Sequence, residues 1–151
     1  MYNIVLIAHS WLRWVVLLAA LLATGSTFMK PAPGADDPAD RWGLLFMISM
    51  DLQMLLGLLL YFALSPNMQE IMNNFSASMQ RADTRFWAVE HVTSMMLAVI
   101  LTHVGRVLAR KAPNASAKRT RLMVCFTLAT ILILAGMPWP GRPGGRPLFR
   151  L

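Results

Sequence analysis

Four long apolar runs, separated by short polar stretches, make up most of the chain; they cover 4–27, 42–64, 85–106 and 118–137. At about 1.5 Å of rise per residue, each is long enough to cross a hydrocarbon core roughly 30 Å thick. The punctuation between them is that of helix ends. Lys30-Pro31-Ala32-Pro33-Gly34 stops the first, because proline cannot continue the hydrogen-bond ladder. Asp36, Asp37, Asp40 and Arg41 read as a polar loop, and Asp83-Thr84 as the cap of the third run. Ser65-Pro66 reads as a cap followed by the first helical position. After it, Met68, Ile71, Met72, Phe75 and Met79 recur at helical spacing, opposite Asn67, Gln69, Glu70, Asn73 and Asn74. That pattern predicts one amphipathic helix over 66–80, lying on a membrane surface. Residues 110–121 form a basic loop, and 138–151, rich in Pro and Gly, form an irregular tail. The expected fold is a single all-α domain: an integral membrane, up-down four-helix bundle with a short interfacial helix.

Composition agrees. Of 151 residues, 56% are hydrophobic and 14% charged, against roughly 25% charged in a soluble domain. The net charge is +7, but the cations lie between apolar runs, where they set topology and meet anionic lipid. Nucleic acid is therefore not the expected partner. Lys30, Arg41, Arg106, Arg110, Lys111, Lys118, Arg119 and Arg121 fall on one side of the four spans; Arg81, Arg85, Arg142, Arg146 and Arg150 fall on the other. The richer side is expected to be cytoplasmic, which puts both termini in the periplasm of a bacterial inner membrane. The lone Cys125 excludes an intrachain disulfide and a thiolate metal cluster. The first run lacks a basic segment before it and reads as a retained helix.

Ionisable groups inside a span are costly and usually turn toward a protein interior. The third run carries three, Glu90, His91 and His103, and the first carries His9 and Arg13. His9 lies five residues after Ile4, and His91 six after Arg85, so both fall at a similar depth if the two helices are parallel. Two neutral imidazoles facing each other across a bundle can hold a haem iron from both sides. Arg13 and Arg85 are the candidates for the haem propionates. The alternative is that His9 and His91 are packing residues bonded to backbone or hydroxyls. Glu90 is expected either to pair with Arg13 or to handle protons or a quinol. Asp51 and Gln53, near the middle of the second run, are further proton or quinone candidates, and either can bond to His103. His103 is twelve residues after His91, about 18 Å deeper and roughly 120° round the helix, so it cannot share that metal. A His–Met site using Met47 or Met50 is a further alternative for His103. The methionine stripe at 68, 72 and 79 is a candidate soft-metal site or simply apolar filling.

HSWLRW in the first run, QMLLGLLLYF in the second, RFWAVEH and THVGR in the third and MPWP after the fourth resemble a family of small four-helix bacterial membrane proteins labelled cytochrome b-like. The resemblance spans nearly the whole chain and implies that His9, Arg13, Gln53, Glu90 and His91 are the positions to watch. Members of that family often carry His where this chain has Asp51, a departure that counts against a haem ligand on the second helix.

The reading that follows is a membrane subunit binding haem b and transferring electrons, with quinone as a further candidate cofactor, inside a larger respiratory or photosynthetic assembly. The alternative is a haem-free accessory subunit; either is favoured over a stand-alone enzyme. The charge distribution makes a direct prediction. Reporter fusions placed after Pro113 and at the C-terminus should report cytoplasm and periplasm respectively, and the reverse would overturn the orientation.

Overall fold

The computed structural model describes residues 1–29, 31 and 36–149. Four helical stretches are long and apolar enough to cross a membrane: Tyr2–Ser26, Pro38–Leu64, Ala82–Arg110 and Ala115–Gly136. The first is helix α1 (Tyr2–Ser26). The second is α2 (Pro38–Leu59) continued by a π-helical turn, Leu60–Leu64. Two short helices follow, α3 (Pro66–Asn73) and α4 (Phe75–Gln80). The third stretch is α5 (Ala82–Arg85), a second π-helical turn, Phe86–Glu90, and α6 (His91–Arg110). The fourth is α7 (Ala115–Gly136).

The helix starts explain where the boundaries moved. Asp37 caps α2, its side chain accepting from the Ala39 N–H at 3.0 Å with Pro38 in the first turn. The expected polar loop at 36–41 is thus largely helix. Asn114 caps α7 in the same way, accepting from the Ala117 N–H at 2.8 Å, so most of the expected basic loop at 110–121 is also helical. Ser65 behaves as read, accepting from the Met68 N–H. Asp83 and Thr84 do not cap the third stretch. Asp83 pairs with Arg81 at 3.0 Å, and the Thr84 hydroxyl donates to the Ser78 carbonyl at 2.6 Å. The stop expected at Lys30 to Gly34 lies, except for Pro31, outside the described residues; α1 ends before it, at Ser26.

The amphipathic segment is two helices and not one. The chain breaks at Asn74, whose φ and ψ of −121° and 44° leave the helical region. Its apolar stripe also divides. Met68 and Ile71 are buried with Ala88, against Tyr61, Trp87 and Val89, whereas Met72 and Phe75 are exposed.

Each long helix touches two others: α1 packs on α2 and α7, and α6 packs on α2 and α7. The shared core is built from small residues, Ala19, Ala20, Ala23, Ala98 and Ala129, around an edge-to-face pair of Phe46 and Phe126. Small side chains let helix backbones approach closely where lipid supplies no hydrophobic push. Gly105 marks a close approach of α6 and α7, since a Cβ there would stand 2.6 Å from the Cys125 Cβ. At one end an ion network joins three helices: Lys118 contacts Asp37 and Asp40, Arg119 contacts Asp37, and Arg106 donates to the Asp40 carbonyl.

The described residues after α7, 137–149, have no regular structure and fold back on α1. Phe149 stacks on Trp14 at 5.5 Å and lies 5.7 Å from Trp11, while the Trp14 indole N–H donates to the Leu148 carbonyl. Because Ile71 is only 3% exposed, Ile71→Ala should lower stability by about 2 kcal/mol or more. Asn73→Ala, on the exposed side of the same helix, should change it by less than about 0.5 kcal/mol. Thermal unfolding in detergent measures both.

Candidate functional site

One cleft of about 200 Å³ opens between the long helices and takes lining residues from all four. His9, Arg13, Gln53, Gly57, Tyr61 and His91 face it, with Met68 of α3 and Arg146 and Pro147 of the tail at its margin.

His91 enters the cleft from the first residue of α6, directly after the π-helical turn. That turn is tied to the other one: the Tyr61 hydroxyl donates to the Ala88 carbonyl at 2.7 Å. The His91 Nδ1–H donates to the Gly136 carbonyl at 2.7 Å. A carbonyl only accepts, so the proton sits on Nδ1 and the Nε2 lone pair remains for the cleft. This is also the way a metal-bound imidazole is usually oriented, through its other ring nitrogen.

His9 reaches the cleft from α1, opposite Gly57 of α2, where a side chain would press on its ring; a Cβ there would lie 3.1 Å from His9 Cε1. Gln53 holds it. The Gln53 amide nitrogen donates to the His9 carbonyl at 3.0 Å and stands 3.3 Å from His9 Nε2. In that arrangement Nε2 accepts and Nδ1 carries the proton. His9 Nδ1 and Gln53 Oε1 are both buried and make no hydrogen bond among the described residues.

The two imidazole rings are 6.5 Å apart between centroids and nearly perpendicular, at 74°. Two metal–nitrogen bonds of roughly 2 Å plus two ring radii give a separation of about 6 Å. The centroid spacing is close to that value.

The other expected site residues divide. Arg13 does line the cleft, and it donates to the tail carbonyls of Pro147 and Leu148. Gln53 is in the cleft as well. Arg85 is not: its Nε bonds the Glu90 carboxylate at 2.8 Å, and both side chains are more than 40% exposed. The expected Arg13–Glu90 pair is therefore replaced by Arg85–Glu90. Asp51 bonds His103 Nε2 at 2.8 Å, away from the cleft. Met50 is buried and lines the cleft, and His103 does not line it. Arg146, which stacks over the Trp87 ring at 5.2 Å, is a cleft residue that periodicity could not reveal, because it lies in an irregular tail. No group of three or more His, Cys, Asp or Glu side chains gathers among the described residues.

No protein-family model, curated protein or solved structure matches this chain.

The tautomers are open to direct measurement. Histidine ¹⁵N NMR at neutral pH should show His91 protonated at Nδ1, and Gln53→Leu should perturb the His9 resonances while leaving those of His91 in place. A His91 protonated at Nε2 would contradict the geometry.

Proposed function

We propose that this chain is a membrane electron-transfer subunit whose His9 and His91 hold one haem b. The observation that carries the reading is the 6.5 Å separation of the two rings in a cleft between helices, with the His91 Nδ1–H committed to the Gly136 carbonyl. The donor set fits the group on the His91 side without change. On the His9 side the two buried orphan atoms complement each other. If Gln53 turns its amide over, Oε1 accepts a proton on His9 Nε2 and Nδ1 becomes the free lone pair. The cost is the bond from Gln53 to the His9 carbonyl. Arg146 stands at the cleft margin with a cation suited to a propionate. The cleft must widen to admit a macrocycle, and the tail over its margin is the element to lift.

When bound, such a haem supplies a one-electron couple. The protein's part is to orient both imidazoles, exclude water with apolar walls and place cations beside the acidic edge. In this reading the four spans form an up-down bundle in a bacterial inner membrane with both termini periplasmic, and a larger respiratory or photosynthetic assembly supplies the redox partner.

A haem-free reading is favoured by one observation, the Gln53 amide nitrogen against His9 Nε2. That contact leaves an N–H on His9 and a lone pair on His91 facing one cleft, a donor and an acceptor suited to a quinone or quinol head group.

The absorption spectrum separates the two. Haem ligation predicts a low-spin spectrum with a sharp Soret and α band on reduction and little binding of carbon monoxide. His9→Ala or His91→Ala should abolish it or turn it high-spin, and His103→Ala should leave it unchanged. An intact, colourless protein that takes up no added haem would reject the haem reading.

A further inference from the structure

Asp51 and His103 belong to no part of the cleft. They bond each other at 2.8 Å, yet each side chain is 46% exposed. Both lie inside membrane-spanning stretches, Asp51 near the centre of Pro38–Leu64. Around them the surface is apolar. Leu44, Ile48 and Leu55 share the Asp51 face of α2, and Met96, Ile100 and Val107 share the His103 face of α6; all are exposed. Both sets repeat at steps of four, three and four residues, one face of a helix.

The apolar residues alone need no explanation, since lipid covers such a face. The ionisable pair does, because half-exposed acid and imidazole groups in hydrocarbon are costly and turn to protein or water. The pair is also half used. Asp51 Oδ2 and His103 Nδ1 make no hydrogen bond among the described residues. A spare carboxylate oxygen and a spare ring nitrogen stand side by side; with Nε2–H given to Asp51, Nδ1 donates when His103 is an imidazolium.

We propose that this face docks against a second copy of the chain across a twofold axis, with Asp51 Oδ2 of each copy accepting from the Nδ1–H of the other copy's His103, an imidazolium held between two carboxylates. The self-complementary charge pattern argues for a like partner. A twofold axis brings each residue opposite its complement in both directions, whereas a foreign subunit would have to supply its own matched acid and donor. Apolar burial gains little between helices in lipid, so hydrogen bonds and close packing carry the association. The inference does not depend on what occupies the cleft.

Disulfide cross-linking of the full chain in phospholipid vesicles tests it, on a Cys125→Ser background. Ile48→Cys, Leu55→Cys and Ile100→Cys should between them give a cross-linked homodimer, while Leu18→Cys and Ile131→Cys, exposed on α1 and α7, should not. The double variant Asp51→Leu/His103→Leu should weaken self-association roughly tenfold, as two lost interhelical hydrogen bonds imply. If that variant fails to accumulate, the cysteine positions alone decide. A monomer at every protein-to-lipid ratio, equal cross-linking from the control positions, or cross-links only to a different protein would overturn the proposal.

Discussion

Hydrocarbon offers no hydrogen-bonding partner, and that constraint organises this molecule. A polar side chain within a span must find a protein partner or stay at a cost, and here the partners lie on other elements. Thr24 meets Thr130 at 3.0 Å, tying α1 to α7. Gln53 meets His9, tying α2 to α1. His91 meets the Gly136 carbonyl, tying α6 to α7. Asp51 meets His103, tying α2 to α6. The apolar packing between these points mixes alanines with larger side chains such as Phe46, Leu122 and Phe126, and the polar bonds add fixed points that set which residues stand level.

The two π-helical turns matter for the same reason. Each π turn carries one residue more than an α turn, which rotates everything after it by about 100° relative to an uninterrupted helix. His91 is the residue immediately after such a turn, and its direction into the cleft is set there. The Tyr61 hydroxyl then bonds a carbonyl inside that turn, Ala88, from the matching turn of the second stretch. Two local irregularities, each weakening its own helix, support one another across the interface.

The same turns explain where the chain could and could not be read from its residues. The four spans were legible because length and hydropathy decide them, and Ser65-Pro66 was legible because capping chemistry is local. The approach of His9 and His91 followed from matched depth in two apolar runs. The partner of Glu90 did not. Residues five apart lie about 140° from each other on an α-helix, so Arg85 and Glu90 read as facing different ways. In a π turn, positions five apart are bonded neighbours, and the pair forms at 2.8 Å. The break at Asn74 was hidden because the apolar spacing runs through it unchanged. The tail was hidden for the opposite reason: with no period, nothing in Arg146 or Pro147 points to a cleft.

The two cleft histidines are held by unlike means, and the difference decides what the cleft can take. His91 is bonded to a backbone carbonyl, which accepts only, so its proton is confined to Nδ1 and its free nitrogen is always an acceptor. His9 is bonded to a carboxamide, which has an accepting and a donating end. With the nitrogen of Gln53 toward the ring, His9 offers the cleft an N–H; with the oxygen toward it, a lone pair. The first arrangement keeps the bond to the His9 carbonyl and leaves Gln53 Oε1 buried and unpartnered. The second satisfies Oε1 and gives up that bond. The first also leaves the His9 Nδ1–H unmet, and the second sets Oε1 beside the His9 carbonyl oxygen and leaves the Gln53 NH2 without an acceptor, so each arrangement carries unmet groups. A ligand that needs two lone pairs, or one donor and one acceptor, tips the balance by the bond it adds at His9. The choice between metal ligation and a carbonyl ligand therefore rests on the orientation of one amide, Gln53.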